Sequence, residues 1–176
     1  MTRRTFVGQA AGFTAILPRT LSAAPGLNPN SLAKFVDPLP IPEIAKPIGL
    51  HPAPGGESVK VPYFRVPMRQ AECKLHRDLP ATRLWCYGTS SPGPTFEARS
   101  GQGLLVEWPN QLPGKHILPI DHSLHGAEID TPEVRGVVHV HGAKAPPESD
   151  GYPEDWYVPG KSRTYFYPNG QEAAAL

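Results

Sequence analysis

Charge of one sign is missing from this chain: 17 lysines and arginines stand against 16 aspartates and glutamates in 176 residues, a formal net charge of +1. With no basic stripe there is no electrostatic footprint for nucleic acid, and that class of partner is set aside. Long apolar runs are missing too. The stretch from Val7 to Leu17 is too short to cross a bilayer as a stable helix, so no membrane span is expected. Cysteine is scarce: Cys73 and Cys86 are the only two, and neither stands in a Cys-x-x-Cys or Cys/His cluster of metal-site spacing. They read equally as a disulfide between adjacent strands of an exported protein or as two small buried apolar side chains. No internal repeat is visible. The length leaves room for one domain with a proper core, plus a leader or an arm.

Proline and glycine are abundant instead, at 23 and 17 residues. Both shares exceed the ordinary ones, which disfavours long helices and favours short strands joined by turns. An all-β domain is the expectation. Residues 1–24 read as a targeting segment, with Arg3-Arg4 before Phe6, the modestly apolar stretch, and a small-residue patch at Ser22-Ala23-Ala24. The pattern resembles a twin-arginine export signal, which implies a periplasmic or secreted protein. The bland alternative is a basic tail. Residues 25–60 are dense in proline, with Pro38, Pro40, Pro42, Pro47, Pro52 and Pro54, and predict an extended arm over a surface. The domain itself is expected over 61–176.

Strand signals begin at Tyr63 and run to Leu75. They recur at Arg83 to Tyr87, Thr95 to Ala98, Leu104 to Trp108 and Thr164 to Tyr167, with turns such as Pro92-Gly93-Pro94 and Ser100-Gly101-Gln102-Gly103 between them. That spacing predicts a β-sandwich or Greek-key barrel. The run Val137-Val138-His139-Val140-His141-Gly142 stands out. On a strand, residues two apart share one face at roughly 6.6 Å along the chain, so His139 and His141 project together while Val138 and Val140 face the other way. Two neutral imidazoles aimed into one space suit copper, zinc, iron or nickel. A hydrogen-bonded packing role is the competing reading, and two donors do not close a site that needs three or four.

With the strands placed, a series of motifs falls into a familiar order. Lys74-Leu75-His76-Arg77-Asp78-Leu79-Pro80, Leu84-Trp85, Ser91-Pro92-Gly93-Pro94-Thr95-Phe96-Glu97, Leu118-Pro119-Ile120-Asp121-His122, Val137 to Gly142, and Glu148-Ser149-Asp150-Gly151-Tyr152-Pro153-Glu154-Asp155-Trp156 together resemble the N-terminal cupredoxin domain of multicopper oxidases. Within that family the motifs look like those of the bilirubin oxidase, spore-coat laccase and phenoxazinone synthase branch. The resemblance covers Pro62 onward. It implies a cupredoxin-like Greek-key β-sandwich or barrel, incomplete at the C-terminus, with copper as cofactor. At the positions of the family's first His-x-His-Gly motif, His139 would bind the type 2 copper and His141 one copper of the type 3 pair. Asp150 stands where the family keeps an acidic residue that assists proton supply, although Asp-Gly is also a common turn former. Gly142 would let the chain turn away beside the cluster. His122 and His125 are not ligands in this reading.

The chain departs from the family after Tyr165-Phe166-Tyr167-Pro168, where a Trp-Tyr-His-Asp-His segment with two further type 3 ligands is expected and Ala173-Ala174-Ala175-Leu176 stands instead. The second and third cupredoxin domains, and with them the type 1 site, are not in this sequence. Three readings follow: a truncated N-terminal part, inactive alone, of an oxidase that couples oxidation of a phenolic or similar reductant to reduction of dioxygen to water; a subunit completed in trans by the missing cupredoxin domains; and a copper-free exported binding module. A cupin fails because Glu148 comes too late and no histidine follows His141. A zinc hydrolase of the His-x-His-x-Asp-His kind fails because Lys144 follows Gly142 and Ala143.

Overall fold

The structure, a computed structural model, describes residues 26–170. The expected export segment at 1–24 lies outside the described residues. Two units are distinguished, the first ending at Lys34 and the second starting at Phe35. In the first, Asn28 caps a single 3-10 turn, Pro29–Ser31, its side-chain oxygen accepting from Asn30 N.

The second unit is built almost wholly from strands: β1 (Gly49–Ala53), β2 (Gly56–Arg65), β3 (Met68–Cys73), β4 (Thr82–Tyr87), β5 (Leu104–Pro109) and β6 (Ser162–Tyr167), with one helical turn, α1 (Pro147–Asp150). The expected all-β class holds. Four strands form one sheet in the order β1-β2-β5-β6, and β3 pairs with β4 in a second. The β2–β5 pair is parallel while its neighbours are antiparallel. A parallel pair cannot be closed by a hairpin; here the connection crosses through the β3–β4 sheet. Between the sheets lies a core of Phe64, Val66, Met68, Val106, Trp108 and Tyr165, with Trp85 of β4 packed against it. The central strand β5 is buried along nearly its whole length, as its apolar run Leu104-Leu105-Val106 requires.

Several boundaries differ from the sequence reading, each for a physical reason. The single strand expected over 63–75 breaks at Pro67, which has no donor to continue a ladder, and its halves belong to different sheets. The proline-rich stretch is not all arm. Ala45 N donates to Thr95 O and Thr95 N to Glu43 O, both at 2.8 Å, and Ile48 N donates to Tyr63 O at 2.7 Å. From Gly49 the chain is a strand, and because β1 is an edge of its sheet it tolerates Pro52. Thr95 to Ala98 forms no strand beyond the bridge between Ile44 and Thr95. The run Val137 to His141 is not a strand either: only Gly136 bridges, to Tyr157, and among the described residues no strand lies alongside the histidines.

Candidate metal centre

His139 and His141 come together without a strand beneath them. Their ring centroids are 6.0 Å apart and the planes cross at 68°. Both side chains are exposed. The segment is held from below, because Val138 is 3 % exposed and belongs to the core. Val140, expected to share that face, is 40 % exposed. It lines an apolar cavity of about 170 Å³ with Phe96, Leu104, Trp108, Ala143 and Tyr167. Burial pushes the Tyr167 phenol in that cavity up to about 12. After His141 the chain turns tightly: Ala143 N donates to Val140 O, and Gly142 sits at φ 76 with open space where a Cβ would stand.

Asp150 lies next to His139, eleven positions away in sequence but adjacent in space. The Nδ1 of His139 is 2.6 Å from the Asp150 carbonyl oxygen and 3.5 Å from its Oδ1. A carbonyl can only accept, so Nδ1 must carry the proton and donate. The neutral ring then keeps its lone pair on Nε2. This is the second-nitrogen contact that metal-bound histidines make. The donor set therefore fits a metal that takes imidazole nitrogen, copper included.

The carbonyl is placed by α1, which ends at Asp150 and is stopped by Gly151 in the left-handed region. A Cβ on Gly151 would fall 1.9 Å from Val138 O, so only glycine lets the α1 terminus lie against the His139 backbone. Ser149, 3 % exposed, accepts a 2.9 Å bond from Phe166 N and ties α1 to β6. Ser149 was not singled out by sequence reasoning: its partner is a backbone nitrogen seventeen residues on, which no local pattern reveals.

The remaining histidines are engaged elsewhere. His122 Nδ1 is 2.7 Å from Ala127 O, His125 Nδ1 is 3.1 Å from Glu128 Oε1, and His116 packs edge-on to Trp85. Among the described residues no group of three or more His, Cys, Asp or Glu side chains is gathered to hold a metal ion. His139 and His141 are thus two donors of a set that these residues do not close. Cys73 and Cys86 are free thiols whose sulfurs lie 3.8 Å apart.

No family model matches the chain. It is 44 % identical over 154 residues to a laccase of Bacillus stratosphericus, covering 83 % of this chain and 29 % of that protein. It is 43 % identical over 156 residues to a laccase of Bacillus subtilis strain 168, covering 83 % of this chain and 29 % of the relative. The chain therefore spans less than a third of the length of these relatives. A solved multi-copper oxidase from Pediococcus acidilactici superposes on 74 % of this chain and 22 % of its own, with a TM-score of 0.52 at 20 % identity. At that identity the likeness concerns the fold, which is the cupredoxin-like one.

Proposed function

Because the chain belongs to the multicopper oxidase family, as a partial N-terminal domain, we propose that His139 supplies a ligand to a type 2 copper and His141 a ligand to a type 3 copper of a three-copper, dioxygen-reducing centre. The complete enzyme oxidises a phenolic or similar small reductant and passes the electrons to dioxygen, giving water. Bound copper supplies the electron transfer. The chain's own residues orient the donors: Asp150 O fixes the His139 tautomer and Val138 anchors the segment in the core. The Asp150 carboxyl would deliver protons that oxygen reduction consumes, a role supported by its 3.5 Å distance from the His139 ring.

The observation that carries this reading is the pair of exposed rings 6.0 Å apart, one of them tautomer-locked by a backbone carbonyl. Two donors do not make a tight site, so the remaining ligands come from further cupredoxin domains of the same protein or of a partner chain. These 176 residues by themselves do not turn over substrate. Export through the Arg3-Arg4 segment belongs to the same proposal, and Arg3→Lys with Arg4→Lys should retain the protein inside the cell.

Copper titration of the folded chain, followed by calorimetry, tests the metal reading. Wild type should bind copper weakly, and His139→Ala or His141→Ala should lose at least tenfold in affinity. Asp150→Asn, which keeps the carbonyl, should bind copper as wild type does but lower oxidase turnover about 10²–10⁴-fold in the complete enzyme. Unchanged binding in the double histidine variant would rule the pair out as ligands, and no binding by wild type would favour the second reading, a copper-free binding module. That reading draws on the absence of a three-donor group among the described residues.

A further inference from the structure

Cys73 ends β3 opposite Thr82 and Cys86 lies within β4 opposite Arg69, so the two stand on one face of the hairpin but four positions apart along its ladder. These 176 residues hold no other cysteine. The two sulfurs are 3.8 Å apart in the reduced state. A bond needs about 2.05 Å, so the sulfurs must approach by less than about 2 Å, and because the two cysteines are offset along the ladder the end of the hairpin must shift with them. The connection they would close carries Arg77, whose backbone N and Nε both donate to Asp37, at 3.0 and 3.1 Å. Trp85, next to Cys86, packs on the core and on His116. The hairpin is thus a junction between the core, the 116–135 loop and the segment that starts at Phe35.

We propose that Cys73 and Cys86 are a thiol–disulfide exchange site, forming a reversible intramolecular disulfide that staples the β3–β4 hairpin. The inference is independent of the copper reading. The oxidant is a small-molecule or protein disulfide. Cys73, the less buried of the two, attacks one sulfur of that disulfide as thiolate, forming a mixed disulfide and releasing one thiol. Burial pushes the Cys86 thiol up, and the neighbouring Cys73 adds to this, so Cys86 is the poorer first nucleophile and acts second. It attacks Cys73 Sγ, expels the second thiol and completes the bond. Two protein thiols are oxidised by two electrons, one disulfide is reduced to two thiols, and the two protons leave with the released thiols.

Closing the loop from Cys73 to Cys86 restricts the unfolded chain and raises the melting temperature by roughly 5–10 °C for a domain of this size. The full chain is equilibrated in reduced-to-oxidised glutathione buffers, unfolded in a maleimide and weighed. Reduced protein should carry two maleimides. Oxidised protein should carry none, with a monomer mass lower by two hydrogens and the higher melting temperature. Cys73→Ser should carry one maleimide or one glutathione and show no intramolecular shift in melting. Two blocked thiols at every glutathione ratio, disulfide-linked dimers in place of the internal bond, or an oxidised wild type that melts no higher than the reduced one overturns the proposal. The wild-type comparison stands even if the serine variant fails to fold.

Discussion

Gly151 and Gly142 both hold φ in the left-handed region, at 78 and 76, yet a methyl group meets different surroundings at each. At Gly142 it meets open space, so Gly142→Ala costs only the backbone strain of about 1–2 kcal/mol. At Gly151 it meets Val138 O at 1.9 Å as well, which forces the α1 terminus and the His139 backbone apart. Gly151→Ala should therefore cost about 3 kcal/mol or more, strain and overpacking combined. Denaturant unfolding of the two variants checks the difference, and equal losses would mean that α1 does not bear on the histidine segment. Gly151→Ala should also weaken copper binding, since it displaces the carbonyl that sets the His139 tautomer. At this scale much of the candidate site was legible in the chain. His139, His141 and Asp150 were singled out from motif order and the structure brings them together, although the strand invoked to align the rings is not there. What aligns them is Val138 in the core and Asp150 O alongside, contacts that no two-residue period encodes.

Among the elements, β2, β5 and β6 are tied across the open face of their sheet by one carboxylate. Glu107 on β5 accepts from Tyr63 OH at 2.8 Å and Arg65 Nε at 2.9 Å, both on β2, and from Ser162 Oγ at 2.9 Å on β6. Burial alone would raise its carboxyl, but the Tyr63 and Ser162 hydrogen bonds and the Arg65 guanidinium together outweigh burial and hold it below the ordinary 4.5. A lowered folded value means that the charged form stabilises the fold. The contribution is fully present above the unfolded value and is lost as pH falls below about 4.5 through the lower folded value. Glu107→Gln should destabilise by about 1–3 kcal/mol at neutral pH. Its deficit against wild type should shrink towards zero as both are acidified, as thermal melts at stepped pH would show. A constant deficit would place the cost in packing instead of charge. The same strands show why element boundaries were only partly readable. The apolar run of β5 and the alternation ending in Tyr165 and Tyr167 are local signals, and both strands were located from them. The edge strand β1 carries four exposed residues out of five and two turn formers, so only its ladder to β2 makes it a strand.

At the scale of the whole molecule, a large apolar surface is left uncovered on one continuous stretch. Phe35, Leu39 and Ile41 are 102 %, 88 % and 91 % exposed, and Ile44, Ile48 and Leu50 follow at over half. Isolated exposed leucines are ordinary, but six such residues within sixteen positions form the kind of patch that soluble monomers seldom present. The prolines between them keep the segment extended and prevent it from collapsing on itself. In the same sheet, β1 and β6 are outer strands among the described residues, and outer strands offer unpaired backbone groups to another chain. Both features favour association, and they can be separated. Replacing Phe35, Leu39 and Ile41 by serine removes apolar burial worth about 1.5–3 kcal/mol per side chain if all three are covered in the associated state. Each 1.4 kcal/mol is tenfold in affinity. The wild-type chain should therefore self-associate at micromolar concentration, and the triple variant should sediment as a monomer through a concentration at least a hundredfold higher. If wild type is already monomeric there, the stretch is not adhesive. If the variant associates as strongly as wild type, the open strand edges are what bind, and a lysine or proline placed on β6 is the change that should disperse it.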